Sequence, residues 1–314
     1  MLQVVDISKK TEDITEQLFE SSTNHGFLFV KGHGIPQSHI ENLFKVSAEY
    51  FALDQSVKDK YPIENNIGYT SFNQEQLDAR KTKDYKEAYN FGPINSTTGE
   101  IPIENHPEFF QKYNDLITKT NFYLFEVAKQ LFVHLLKTLK IDKDKIPEIA
   151  KCLTGDTHTI LRFLRYPQMR SLKEAENDDI RAGAHTDYGL LTILFQQEGQ
   201  QGLQLNLNKE DDQDWLPIAF QPSDDISKEG APLVVNFGDL LQFWTNGTIK
   251  STIHRVVIPE TRLKDRYSIV FFVHPQDKTS LEGWESKYIP KDEENKPQVN
   301  AYEHLLMRLN ETYS

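Results

Sequence analysis

From Leu153 onward the chain is a series of short apolar runs broken by polar or Gly/Pro stretches: "HTILRFLRYP", "GLLTILFQ", "GLQLNL", "APLVVNFGDLLQFW", "TIKSTIHRVVIP" and "RYSIVFFVHP". Regularly spaced runs of this length predict the strands of a sandwich or barrel, and Asn246-Gly247 between two of them predicts a hairpin turn. The expected core is therefore jelly-roll-like. Before Leu153 the texture is mixed. A short strand is expected at "QVVDI", a helix near Glu12 to Asn24, a strand at "GFLFV" ahead of "KGHGIP", and a helix from Gln37 to Leu53. In "NDLITKTNFYLFEVAKQLFVHLLKTLK", Leu116, Thr120, Leu124, Val127, Leu131 and Leu135 recur at three- and four-residue steps, as on one buried face of a long supporting helix. The tail "NAYEHLLMRLNETY" reads as a terminal helix.

Composition limits what such a fold can serve. With 35 basic against 47 acidic residues the formal net charge is -12, and there is no long Lys/Arg cluster. Nucleic acid and anionic membrane surfaces are thus disfavoured as partners. The single cysteine, Cys152, excludes an internal disulfide framework and fits a reducing compartment. The start, "MLQVVDISKKTED", lacks the apolar core of a signal peptide, and no apolar run approaches the roughly 20 residues of a membrane span. A cytoplasmic location, with the nucleus also compatible, is the expectation.

The stretch "RAGAHTDYGLLTILFQ" sets His185 and Asp187 two residues apart at the head of an apolar run. Residues two apart on a strand share a face, so both side chains would project together. His-x-Asp alone is weak evidence, but His254, in another β-like run 67 positions after Asp187, supplies a third candidate. Two imidazoles and a carboxylate on one side of a metal leave the other positions open, as in non-haem Fe(II) oxygenases, although zinc accepts the same ligand types. Arg266 and Ser268 are again two apart. An inward arginine is costly unless it meets an anion, and its planar fork suits a carboxylate.

The ordered set His185-x-Asp187, His254 and Arg266-x-Ser268 resembles the Fe(II)/2-oxoglutarate-dependent dioxygenase superfamily, isopenicillin N synthase-like branch. "HGFLFVKGHGIP", "YKEAYNFG" and "VVNFGDLLQFWTNGTIKSTIHRVV" resemble the same branch, so the likeness covers most of the chain. The resemblance implies His185, Asp187 and His254 as iron ligands. It implies Arg266 and Ser268, with Tyr166 of "RFLRYP", around the distal carboxylate of 2-oxoglutarate. Plant members commonly carry asparagine where this chain has Leu164, which thins that contact. The implied reaction consumes O2 and 2-oxoglutarate, releases succinate and CO2, and hydroxylates, desaturates or cyclises a small molecule. Oxidases of the branch that use no 2-oxoglutarate, and a non-catalytic ligand-binding module, are the alternatives.

The expected organisation is mainly β with α: a mixed α/β segment over 1–110, a supporting helical segment over 111–152, a cupin-like double-stranded β-helix over 153–280 and a helical tail over 281–314, assumed monomeric. The expected substrate residues are Arg162, placed by alternation on the face of Tyr166, and Phe272. Arg162 needs either a substrate anion or a carboxylate of the protein. His33 and Asp239 are expected to fix turns rather than bind metal, and Arg255 to join an outer ion pair. "FNQEQLDARKTKDYKEAYNF" and "MRSLKEAENDDIRAG" are candidate lids, and "NKEDDQDW" a solvated loop.

Overall fold

Period-two alternation, apolar on both faces, lets one sheet pack against helices on one side and a second sheet on the other. The computed structural model describes residues 2–75, 84–168, 180–208, 214–257, 264–294 and 296–313. Its strands are β1 (Val4–Asp6), β2 (Phe27–Lys31), β3 (Gly68–Thr70), β4 (Glu87–Phe91), β5 (Ile160–Tyr166), β6 (Ile180–His185), β7 (Leu191–Phe195), β8 (Leu203–Asn206), β9 (Trp215–Pro217), β10 (Leu233–Phe237), β11 (His254–Val257) and β12 (Arg266–Val273). The major sheet runs β1-β2-β10-β7-β12-β5-β4-β3 and the minor sheet β6-β11-β8-β9. Among the described residues β1 and β2 pair in parallel, and the other pairs of these strands are antiparallel. Two facing sheets built from antiparallel pairs with this strand order form the jelly roll expected from the sequence.

Alternation sorts the major sheet's side chains. Leu161, Phe163, Ile193, Val235, Ile269 and Phe271 face the helices and join the large core. Leu164, Tyr166 and Val270 face the minor sheet, packing with its Ala182 and Val256. Further along, Phe27, Phe29 and Val234 meet Leu203 and Leu205. The helix Asn114–Thr138 lies behind the sheet with Leu124, Phe125, Leu131 and Leu135 buried, and its Phe125 meets Phe271 edge-to-face at 5.1 Å.

Of the N-terminal strands, β1 and β2 extend the major sheet at one end, β3 and β4 at the other. Tertiary structure changes two expectations. Within "APLVVNFGDLLQFW" only Leu233–Phe237 is strand, while Asp239–Trp244 is helix, burying Leu240, Leu241 and Trp244 at helical spacing. Asn246-Gly247 has the positive φ values of a tight turn (50° and 78°), yet it ends this helix instead of joining two strands. The Gly247 N–H donates back to the Gln242 carbonyl at 2.8 Å, a helix-closing bond. Residues 76–83, 169–179 and 209–213, which include most of the second candidate lid and parts of the first and of the acidic loop, lie outside the described residues.

Phe271 and Phe272 point to opposite faces, and only Phe271 is fully buried in the large core. Phe271→Ala is expected to destabilise the fold by about 3–5 kcal/mol. Phe272→Ala should cost distinctly less, as thermal unfolding of the two variants side by side would show.

Candidate active site

His185 is the last residue of β6 and His254 the first of β11, and the two are cross-strand partners. Their rings lie 4.4 Å apart, centroid to centroid. Asp187 lies just past the end of β6, so it converges on them through the following loop and not through strand alternation. Its Oδ1 is 3.8 Å from Nε2 of each histidine. One ligand atom from each residue falls within 4.8 Å of the others, a spacing that can hold a metal ion.

The surroundings fix which atoms are offered. His185 Nδ1 donates to the Gly183 carbonyl at 2.7 Å and His254 Nδ1 to the Thr252 carbonyl at 3.1 Å, leaving Nε2 of both as the basic nitrogen. Burial, reinforced by His254, pushes the His185 pKa down to about 3, so the ring is neutral, the form that binds a metal. Asp187 Oδ2 accepts from Thr192 Oγ1 and Asn236 Nδ2, both at 2.7 Å, which leaves Oδ1 to face the histidines. Burial opposes ionisation of Asp187. The two histidines and these two hydrogen bonds outweigh it, and the net shift is downward. The donor set thus fits one divalent ion held from one side, with Asp187 monodentate.

Further along the same inner face, Arg266 lies opposite Tyr166, and Ser268 opposite Leu164. Arg266 is 6 % exposed. Its Nη1 donates to Ser268 Oγ at 2.6 Å, its Nε to the Gln200 and Gln201 carbonyls at 3.0 and 3.1 Å, and its guanidinium lies 5.0 Å from the Tyr166 ring. Among the described residues no carboxylate pairs with it. Burial accordingly pulls its pKa below the ordinary arginine value. A dehydrated cation with only neutral partners among the described residues can take an anion.

Arg162 shares that inner face, and of its two possible partners the structure supplies the protein's own. Nη2 donates to Glu75 Oε1 at 2.6 Å, while Lys86 Nζ lies 3.3 Å from Glu75 and 2.8 Å from Asp84. Phe272 also faces inward, packed beside Leu164 and Val270. Arg255 does not join an ion pair among the described residues: it donates to Gln204 at 2.8 Å and stacks 3.9 Å from the Trp215 ring. His33 is a turn element, its Nδ1 accepting from the Ile35 N–H and its Nε2 facing the Ala231 carbonyl. Sequence reasoning missed Thr192, Asn236 and Glu75. The signal for the first two was a single polar residue inside each of the apolar strands "LTILF" and "LVVNF".

Two histidines and a carboxylate that can hold a metal from one side, with a buried arginine between the same two sheets, match a mononuclear non-haem iron site on a jelly roll. Residues 156–275 match the 2OG-Fe(II) oxygenase superfamily, and residues 2–115 match the family described as non-haem dioxygenase in morphine synthesis N-terminal. The 2-oxoglutarate-Fe(II) type oxidoreductase ppzD of Metarhizium rileyi is 31% identical over 279 residues, covering 82% of this chain and 74% of its own. The UPF0676 protein C1494.01 of Schizosaccharomyces pombe is 31% identical over 98% of this chain and 92% of its own. A full-length Neurospora crassa protein, solved in complex with alpha-KG and thymine, superposes with a TM-score of 0.79 at 25% identity, covering 99% of this chain and 97% of that one. The chain belongs to the 2OG-Fe(II) oxygenase superfamily. It is a 2-oxoglutarate-dependent dioxygenase that works with Fe(II) and O2.

Burial raises the Glu75 pKa, but Arg162 and Lys86 outweigh this and hold it at about 2, below its ordinary 4.5. A depressed carboxylate stabilises the fold fully above its ordinary value and progressively less as pH falls toward the folded-state value. Glu75→Gln should therefore destabilise the protein at pH 7 by up to about 3 kcal/mol. The gap to wild type in chemical unfolding should narrow between pH 4.5 and 2.

Proposed function

We propose that His185, Asp187 and His254 hold the Fe(II), that Arg266, Ser268 and Tyr166 seat the distal carboxylate of 2-oxoglutarate, and that the enzyme hydroxylates a small molecule. The observation that carries this reading is Arg266, a buried cation with no carboxylate partner among the described residues, on the inner face that also supports the triad. With iron and 2-oxoglutarate bound, the site supplies the oxidising power: one atom of O2 enters the substrate C–H bond, and the other enters succinate as CO2 leaves. The chain's own work is placement. The backbone carbonyls of Gly183 and Thr252 fix the tautomer and tilt of the two imidazoles. Thr192 and Asn236 restrain Asp187 to one ligating oxygen. The two apolar clusters between the sheets flank the arginine end.

A cavity of about 980 Å³ reaches His185 and is lined by Tyr188, Asn206, Trp215, Phe243 and Arg308 among others, room enough for a small-molecule substrate. We place Phe272 on the substrate wall. Arg162, on the inner face of β5, is neutralised by Glu75 at 2.6 Å, which favours a substrate uncharged at that point. Among the described residues no helix is long and apolar enough to cross a membrane.

Arg266→Leu is expected to weaken 2-oxoglutarate binding by tens to thousands of times, as loss of a charge-assisted pair worth about 2–5 kcal/mol. Lysine at this position should rescue only in part, since a point charge does not reproduce the planar fork. Ser268→Ala should cost about 0.5–1.5 kcal/mol, or somewhat more because its acceptor is charged. Metal affinity should survive both changes. Titration of 2-oxoglutarate into the anaerobic Fe(II) protein, followed by its visible chelate band, measures all three. Unchanged 2-oxoglutarate affinity in Arg266→Leu would remove Arg266 from the cosubstrate site.

A further inference from the structure

Asp187 stands on the loop between β6 and β7, and that loop is held from outside. The segment Gly238–Leu240 donates three backbone hydrogen bonds into it: Gly238 N–H to the Leu190 carbonyl at 3.1 Å, Asp239 N–H to that of Asp187 at 2.7 Å, and Leu240 N–H to that of Tyr188 at 3.3 Å. Contact is so close that a Cβ on Gly238 would sit 2.3 Å from the Gly189 carbonyl oxygen and 2.8 Å from that of Asp187. Any side chain there would push the loop, and Asp187 with it, out of place.

The Asp239 side chain adds a second tie. It is 9 % exposed, and its Oδ2 accepts from Thr186 Oγ1, the residue between the two ligands in sequence, at 2.9 Å. The same oxygen accepts from Arg308 Nε at 2.9 Å. Arg308 belongs to the C-terminal helix Ala301–Tyr313, and its guanidinium also lies 5.6 Å from the ring of Tyr188, on the same loop. One carboxylate thus joins the metal-ligand loop to the last helix of the chain. A buried carboxylate deprived of its cation is strongly disfavoured, and the contacts that Asp239 makes with the loop are what its rearrangement would disturb.

We propose that Asp239 is a positioning residue for the metal centre and that docking of the C-terminal helix through Arg308 sets the geometry of the Asp187 loop, so that the helix governs metal affinity without supplying a ligand. The inference rests on Asp187 being a ligand. Partners that orient ligands are typically worth about 10- to 100-fold in metal affinity.

The test is Mn(II) binding to the metal-free full chain, read as free Mn(II) by electron paramagnetic resonance, with thermal unfolding of the same samples. Asp239→Asn should raise the Mn(II) Kd by about 10-fold or more, and Arg308→Ala by several-fold. The double variant should lose less than the product of the two single effects, because the Arg308–Asp239 contact is shared by both. Arg308→Lys should recover part of the loss. Should Asp239→Asn not fold, Thr186→Val, which removes the hydroxyl at constant shape, carries the test with Arg308→Ala. A lowered unfolding temperature with Kd within twofold of wild type makes the contact merely structural and overturns the proposal. So does a raised Kd in Asp239→Asn with none in Arg308→Ala, which would uncouple the helix. Asp187→Ala is the control: if it too leaves Mn(II) affinity intact, the ligand assignment fails, and not the coupling.

Discussion

An ionised carboxylate, Asp187, has to be kept between two apolar sheets, and much of the local architecture answers that demand. One of its oxygens is satisfied by Thr192 and Asn236, both from the major sheet. The other faces two histidines that belong to the minor sheet. The carboxylate therefore sits where the two sheets meet, and a change of register in either would strand it without partners. Leaving such a group unpaired costs several kcal/mol, enough to make the sheet-to-sheet geometry a single solution.

Arg266 poses the opposite problem on the same face. Its neighbours are two backbone carbonyls, a hydroxyl and an aromatic ring, all neutral. They orient the guanidinium without neutralising it. Arg162, also inward, is neutralised by Glu75 and joined through it to Lys86 and Asp84, and Asp84 in turn accepts from the Gly183 N–H on β6. Two inward arginines on adjacent strands are thus treated differently. One is sealed by the protein's own acid, and the other has only neutral partners among the described residues. That asymmetry is what the proposed assignment of Arg266 to the cosubstrate rests on.

Strands far apart in sequence meet to make this possible. β2, from the first thirty or so residues, pairs with β10, and its Phe27 lies edge-on to His254 at 5.4 Å. β4 pairs with β5 and brings Asp84, Lys86 and Glu87 alongside the barrel. The N-terminal part of the chain is therefore a wall of the site as well as a support for it. The family boundaries, 2–115 and 156–275, divide a sheet that the structure shows as continuous.

Local pattern made much of this protein legible. Period two in "RFLRY" and "RYSIVFFV" placed Arg162, Tyr166, Arg266, Ser268 and Phe272 on one face, because alternation is a property of the strand itself. The 3.6-residue spacing across Asn114–Thr138 likewise revealed its buried side. Tertiary structure decided what depends on contacts remote in sequence. Leu240, Leu241 and Trp244 chose helix over strand because burial there runs at helical spacing. Glu75, not an external anion, became the partner of Arg162, since only the folded chain brings a residue 87 positions away within 2.6 Å. Asp187 reached the histidines through a loop pinned by Asp239, a constraint in which local periodicity has no part. Sequence supplied the chemical groups and their faces; which charges found a partner of opposite sign within the fold followed from long-range packing alone.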